Sequence, residues 1–352
     1  VDLSLGQGTS QAELPPNAGP SKVDNDGQNL AIGFVSALCL NRRCERMGSS
    51  EIRIARRTFV RKLLMSGLIV PCLEPWSSGA IISELQSQKI PPSFFGPRSD
   101  TVVTWLGMAG VLVNCRGTAL LIDPLITLVE SEGEMLCEGH YRLRTPLPIE
   151  SRQMPHIDVV LFTHADGDHF SRVTAEVFAA RETTKFVAPP PVERGLLNLG
   201  VSKERIVTAR DFDSIEFGAA VVEVTPALHD WQDENPWRRG DCCGYVVRTP
   251  DGSIWHPGDT RLIDELLEVK DVDVLFFDVA AVRSHLGPEG SAKLAVSSGA
   301  KVTIAYHYGT FVLPKGSYGN CDPKDALPYT QGLSARFLLL NPGEILHLPL
   351  PS

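Results

Sequence analysis

The chain has 352 residues, 43% of them hydrophobic, enough for one large domain or two ordinary ones with a real core. Charged residues make up 21% and the net charge is −9, which argues against a general nucleic-acid binder, because such proteins displace counterions with basic surface. The eight cysteines are scattered and form no C-x-x-C pair, which argues against a structural zinc knuckle or a small disulfide scaffold.

Residues 1–46 read as a disordered N-terminal extension, rich over 1–30 in Gly, Pro, Ser, Asn, Gln and Asp. Residues 47–99 read as a signal segment and linker. Arg56 and Arg57, then Phe59, then an apolar run from Leu63 to Leu73 resemble a twin-arginine export signal, and Ser78-Gly79-Ala80 suits cleavage after Ala80. The run is too short to span a bilayer and Pro71 interrupts it, so no integral membrane segment is expected in the mature domain. If Met47 is the true start, the protein is exported to the periplasm or beyond. The alternative is a basic amphipathic helix in a cytoplasmic protein.

The regular pattern begins near residue 100. Thr101–Gly107, Val111–Cys115 and Thr118–Pro124 are β-rich runs punctuated by glycine and predict a three-strand meander. "IDVVLFT" is continuously apolar, as a strand buried on both faces is. Phe170–Arg181 has helical spacing. Ile215–Ala227 predicts one or two strands, and "PDG" between "GYVVRT" and "SIWHPG" signals a hairpin. Arg261–Val269 reads as helical, Val272–Val279 as a buried strand, and Gly287–Gly299 as a helix entered through Pro288. Lys301–His307 and Glu344–Pro349 complete the strands. Two rounds of strands and helices predict an α/β domain over 100–352 with two sheets back to back and helices outside.

Histidines and aspartates recur where these strands end. Asp123 ends "ALLID". His164, Asp166, Asp168 and His169 follow "VVLFT" in "THADGDH". His229 follows "VEVTPAL", Asp259 follows "SIWHPG", and His307 ends "VTIAY". Strand ends converge on one sheet edge, where loops hold reactive groups on a rigid base. His and Asp together are the donor set of zinc, manganese and iron sites.

"TWLGMAGVLV…ALLIDP", "THADGDHF", "TPALHDW", "GDT" and "AYHYGTF", in this order, resemble the metallo-β-lactamase-fold hydrolases over residues 100–350. Within them the pattern is most similar to the L-ascorbate-6-phosphate lactonase-like group, with the N-acylphosphatidylethanolamine phospholipase D group as a cousin. The resemblance implies a four-layer αββα sandwich of two mixed sheets holding one or two divalent ions (Zn, Mn or Fe). One ion would lie on His164, Asp166 and His229, the other on Asp168, His169 and His307. Asp259 would bridge, and Asp123 would orient the central loop from behind. It further implies a water activated by the metal, with Asp168 or Asp259 taking up and returning its proton.

Two positions depart from the pattern. Asp166 stands where the motif H-x-H-x-D-H has its second histidine, and Met108 stands where "GHAG" has its histidine. The carboxylate makes the site harder and more anionic, which favours Mn²⁺ or Fe²⁺ relative to Zn²⁺. A dinuclear site, a mononuclear site on Asp168, His169 and His307, and a site that has lost its metal all remain open.

His285, Tyr308 and Thr310 are candidates for substrate contact, with a surface-loop position the alternative for His285. His256 could pack behind the ligands. Trp231, Trp237, Arg238 and Arg239 could cap the site or form a solvated loop. His140, His156 and His347 read as ordinary histidines, and Cys242–Cys243 as strand packing. The expected partner is a small-molecule substrate: a lactone or related ester, phosphorylated molecules included. A phosphodiesterase and a non-catalytic binding protein are the competing readings.

Overall fold

In the computed structural model, residues 85–314 and 317–351 are described. The N-terminal extension 1–46, the twin-arginine-like segment and the cleavage position at Ala80 lie outside them.

The β-rich runs pair as their patterns predict. β1 (Thr101–Gly107), β2 (Gly110–Cys115) and β3 (Thr118–Ile122) form an antiparallel meander. A small hairpin follows, β4 (Leu128–Ser131) with β5 (Glu134–Cys137). β6 (Val159–Leu161), β7 (Lys185–Ala188) and β8 (Ile206–Thr208) then add in parallel, through α1 (Arg172–Ala179) and α2 (Pro190–Asn198).

The second half repeats the scheme. The expected run of one or two strands proves to be two, β9 (Ser214–Phe217) and β10 (Ala220–Pro226). β11 (Cys243–Thr249) and β12 (Gly252–His256) form the hairpin across Pro250-Asp251. β13 (Val274–Asp278), β14 (Val302–Tyr306) and β15 (Arg336–Leu338) continue in parallel, with α3 (Gly287–Ser298) between β13 and β14. The short α4 (Leu327–Thr330) precedes β15, and β16 (Ile345–Leu348) returns to pair with β1.

Two seven-stranded mixed sheets result, in the orders β16-β1-β2-β3-β6-β7-β8 and β15-β14-β13-β12-β11-β10-β9. One core lies between the sheets, with Val103, Trp105 and Leu120 from the first against Val222, Tyr245 and Phe276 from the second. A second core joins the first sheet to α1 and α2 through Phe162, Phe178 and Leu196. A third joins the second sheet to α3 through Trp255, Leu275 and Leu294. These are the four layers αββα. Among the described residues no helix is long and apolar enough to cross a membrane.

Local chemistry sets the element ends. Ser171 caps α1 by accepting the Thr174 N–H. Three prolines, Pro189–Pro191, open α2, where missing N–H groups cost nothing. α3 begins with Pro288 in its first turn and stops at Gly299 in the left-handed conformation.

Two expectations need correction. Arg261–Val269 is not an α-helix; only a 3₁₀ turn forms, over Asp264–Glu268. The Arg261 N–H is committed to Leu228 O at 3.0 Å and Ile263 stays extended, so too few residues remain for an α-helix. Residues 85–99, expected to be linker, pack onto the domain. Phe94 is buried, the Gln88 N–H donates to Pro342 O at 2.8 Å, and Asn114 Nδ2 donates to Phe94 O at 2.7 Å.

The loops leaving β6 and β12 touch closely. A Cβ on Gly258, whose φ is +65°, would stand 2.6 Å from Cys243 O and 2.9 Å from Thr163 Cβ. Gly258→Ala is therefore expected to destabilise the fold by about 2 kcal/mol or more, through strained backbone and overpacking. Denaturant unfolding measures this, and the same substitution should displace Asp259 and lower the metal content of the purified protein.

Candidate metal centre

Each strand-end group is aimed by a partner behind it. Asp123, in a left-handed conformation (φ 44°), is fully buried below the central loop. It accepts the Thr163 N–H at 2.8 Å, the Thr163 hydroxyl at 2.6 Å and the His169 Nδ1–H at 2.7 Å. The Thr163 hydroxyl has thereby spent its hydrogen and accepts from His164 Nδ1 at 2.9 Å. His229 Nδ1 donates to Ser284 O at 3.0 Å. Asp278, at the end of β13, takes two histidines: Oδ1 from His307 Nδ1 at 3.0 Å and Oδ2 from His285 Nδ1 at 3.1 Å.

With Nδ1 engaged in each ring, Nε2 is the nitrogen that each of the five histidines can offer to a metal. The five Nε2 atoms converge. His169 Nε2 and His307 Nε2 are 3.2 Å apart, close enough to share a proton or to ligate one cation. Asp259 faces the group, with Oδ2 at 3.2 Å from His169 Nε2, 3.3 Å from His285 Nε2 and 3.9 Å from His164 Nε2, and Oδ1 at 3.4 Å from His307 Nε2. Asp168 Oδ2 is 3.6 Å from His169 Nε2. Asp166 Oδ2 is 3.5 Å from His164 Nε2 and 3.3 Å from His229 Nε2.

Such spacings suit ligands around an ion, since donors about 2.0–2.2 Å from a shared metal stand about 3–3.6 Å from one another. Two groups could each hold an ion: Asp168, His169, Asp259 and His307, and His164, His229 and Asp259. Asp166 adds to the second through its two histidines. His164 Nε2, Asp168 Oδ2 and Asp259 Oδ1 are buried without a hydrogen-bond partner, a costly state that a metal would relieve. The residues present fit a divalent metal pair.

The electrostatics agree. Burial disfavours charge on Asp166, yet His164 and His229 hold its carboxyl well below the usual range. Burial likewise opposes ionised Asp259, and His169, His285 and His307 overcome it. Burial would strip a proton from His169, but Asp259, Asp168 and Asp123 pull its pKa well above the ordinary value. Carboxylates that stay ionised in a buried site, with imidazoles drawn toward positive charge, mark a site short of cations.

The loop after His229 does cover this site. Trp231 Nε1–H donates to Asp166 Oδ2 at 2.9 Å, and the Trp237 ring packs 5.5 Å from His164. Arg239 is spent elsewhere, on Glu265 at 2.9 Å and Asp211 at 3.2 Å. His256 lies behind Asp259, donating to Ala109 O at 2.9 Å and accepting the Gly258 N–H at 3.1 Å.

Met108 is fully buried in the core beneath the first sheet, and its backbone supplies the polar contacts. Its N–H donates to Thr310 Oγ1 at 2.9 Å, and its carbonyl accepts from Trp105 Nε1 at 3.0 Å and from the His307 N–H at 3.3 Å. These contacts correct two candidates. Thr310 is occupied bracing the β1–β2 turn. Tyr308 stacks on Trp105 at 5.0 Å and donates to Leu340 O at 3.2 Å. Neither lines the cavity.

His285 is placed the other way. Its side chain is 5% exposed, so it is not a surface-loop histidine. It lines a cavity of about 480 Å³ with Asp166, Asp168, His229 and Asp259. Tyr141, Trp231, Arg283 and Tyr318 also line it, and sequence reasoning had singled out only Trp231 among these four. Asp278 was missed as well, although it ends a strand as Asp123 does.

Fold and site together define a metal-dependent hydrolase with a His and Asp cluster at the shared edge of two sheets. Residues 118–308 match the Beta-lactamase superfamily domain, and the chain belongs to that superfamily. It is 30% identical over 256 residues to a UPF0173 metal-dependent hydrolase of Pyrobaculum arsenaticum, covering 70% of this chain and 99% of that one. Among solved structures it is similar to Igni18, a metallo hydrolase of Ignicoccus hospitalis (TM-score 0.53, 19% identity, 72% of this chain and 100% of that one). It is also similar in fold to CmlA, a diiron β-hydroxylase of Streptomyces venezuelae (TM-score 0.51, 18% identity, 72% of this chain and 55% of that one).

Asp278 aims two histidines at once, so Asp278→Asn is expected to weaken metal binding by about 10- to 100-fold. Trp231→Phe, which frees one oxygen of Asp166, should weaken it less. Competition against a chelator of known affinity measures both, with circular dichroism to check that the fold is retained.

Proposed function

We propose that this metal-dependent hydrolase acts on a lactone or related ester of a small molecule. The observation that carries this reading is the cavity over the ligands. At about 480 Å³ it suits a compact ligand, and it is lined by phenols, an indole and one arginine. A long apolar groove, which a phospholipid-like diester would need, is not what these residues line.

The ligand sets are proposed as His164, Asp166 and His229 on one side and Asp168, His169 and His307 on the other, with Asp259 shared. Divalent ions held there supply an acidified water and a Lewis acid for the bond attacked. The chain's own groups do the rest. Asp168, which lines the cavity beside Asp259, is placed to take the proton of the attacking water. Asp123 and Asp278 keep the imidazoles from rotating. His285, fixed by Asp278 and facing Asp259, is the histidine placed to meet a substrate oxygen. Arg283 at the cavity suits an anionic substituent, which supports phosphorylated molecules among the candidates.

Asp166 brings a second anionic oxygen donor to a set that two histidines share. That supports manganese or iron over zinc. Elemental analysis of the purified protein, paired with Asp166→His and a panel of lactones, carboxylic esters and phosphodiesters, tests the assignment. The expected result is one to two equivalents of metal, lactone or ester turnover that a chelator abolishes, and a shift toward zinc in Asp166→His. Unchanged metal content and turnover in that variant would remove Asp166 from the ligand set, and phosphodiester turnover without ester turnover would overturn the substrate class.

A further inference from the structure

Two phenols share the cavity with the proposed ligands. Tyr141 and Tyr318 line it beside Asp166, Asp168, His229 and Asp259, and their hydroxyls are 3.1 Å apart. They come from distant parts of the chain, each separately anchored. Tyr141 follows the hairpin β4–β5 and exchanges backbone hydrogen bonds with Cys137 at 2.9 and 2.8 Å. Its ring packs on Phe311 at 5.3 Å. The hairpin is itself tied to the central loop, because the Glu138 carboxylate accepts the Ser171 hydroxyl at 2.6 Å and the Arg172 N–H at 3.0 Å, at the start of α1. Tyr318 lies beyond β14, in a turn closed by Asn320 Nδ2 donating to Leu313 O at 2.7 Å.

Counting hydrogens assigns the pair a task. Two phenols carry two hydroxyl hydrogens, and one is used between them. Among the described residues no protein acceptor takes the other. Either hydroxyl can donate between them; Tyr141 is 6% exposed and Tyr318 is less buried, so Tyr318 is the better placed to turn its hydrogen to the cavity. Burial, with Asp168 next, pushes both phenols above the usual tyrosine range, so both remain donors at neutral pH. The nearby Trp231 Nε1–H and His285 Nδ1–H are spent on Asp166 and Asp278, His285 Nε2 faces Asp259 at 3.3 Å, and Arg283 is the cavity's group for an anionic substituent, which leaves the phenol for a neutral oxygen.

We infer that Tyr318 donates a hydrogen bond to the leaving-group oxygen of the substrate, and that Tyr141 is the positioning residue that orients it. This rests on the ester or lactone reading above. In hydrolysis a bond forms between the water oxygen and the acyl carbon. The acyl carbon–oxygen bond to the leaving group breaks, and its electron pair stays on the departing oxygen. One hydrogen of the water, carried by a carboxylate of the site, completes the alcohol. Tyr318 keeps its own hydrogen throughout and stabilises the charge that builds on the departing oxygen. A divalent ion held by the proposed ligands would take the attacked oxygen, which leaves the phenol hydrogen for the oxygen that departs.

The test compares Tyr318→Phe and Tyr141→Phe with wild type in the full-length, metal-loaded protein. The substrates are esters from p-nitrophenyl acetate, whose leaving group needs no help, to alkyl acetates and γ-butyrolactone. Tyr318→Phe should stay within about threefold on the p-nitrophenyl ester and lose about 30- to 100-fold in kcat/KM on the alkyl substrates, as removal of one preorganised donor does. Tyr141→Phe should lose in the same order by a smaller factor. A loss that is uniform across the series, or no loss, overturns the inference. Calorimetry with inorganic phosphate supplies a readout apart from turnover: Tyr318→Phe should bind about tenfold more weakly at unchanged metal content. If wild type hydrolyses none of the esters while phosphate binding still depends on Tyr318, the substrate class falls and Tyr318 stands as the cavity's donor. Phosphate binding equal to wild type, in protein inert toward esters, overturns both.

Discussion

Buried carboxylates behind the histidines are the constraint on which the site depends. Asp123 and Asp278 are both fully buried, and each accepts Nδ1–H groups that would otherwise be free to rotate. They aim His169, His285 and His307, while Thr163 and the Ser284 carbonyl aim His164 and His229, so that five second nitrogens converge within a few ångströms. That arrangement is costly to the apo chain, since His164 Nε2, Asp168 Oδ2 and Asp259 Oδ1 are buried without partners. The fold tolerates it because the two sheets below, with continuous apolar strands such as β6 and β13, are rigid enough to hold the loops in place.

Backbone strain collects at the same edge. Met108, Asp123 and His307 all have positive φ without being glycine. Each sits at a strand end where the chain must turn sharply to present a group inward, and each is pinned by hydrogen bonds to another segment. Such conformations persist where the surroundings over-determine them. Here the surroundings are the β1–β2 turn, Thr310 and Trp105, so residues that look like pocket candidates near His307 instead hold the pocket's frame.

Much of this was legible in the sequence, for a physical reason. A ligand at a strand end is preceded by an apolar run, and both halves of that signal are local. His164, Asp168, His169, His229, Asp259 and His307 carry it, and the sheets follow from the same runs. Asp278 carries it too, and was passed over because it matched no metal-ligand motif. Tyr141 and Tyr318 carry no local signal, because what joins them is a contact across 177 residues between irregular segments. Phe94 was hidden by a proline-rich context that reads as linker. The helical spacing of Arg261–Val269 was real, but tertiary hydrogen bonding overrode it.

Each proposed ligand set draws on both sheets: the central loop leaves β6 in the first, while His229, Asp259 and His307 leave β10, β12 and β14 in the second. Neither half of the chain contains a complete set. Tight capture of an ion by the proposed sets would therefore come after the sheets have docked, so a bound metal would act on folding as a latch and not as a seed. It would slow the opening of the sandwich more than it hastens its assembly.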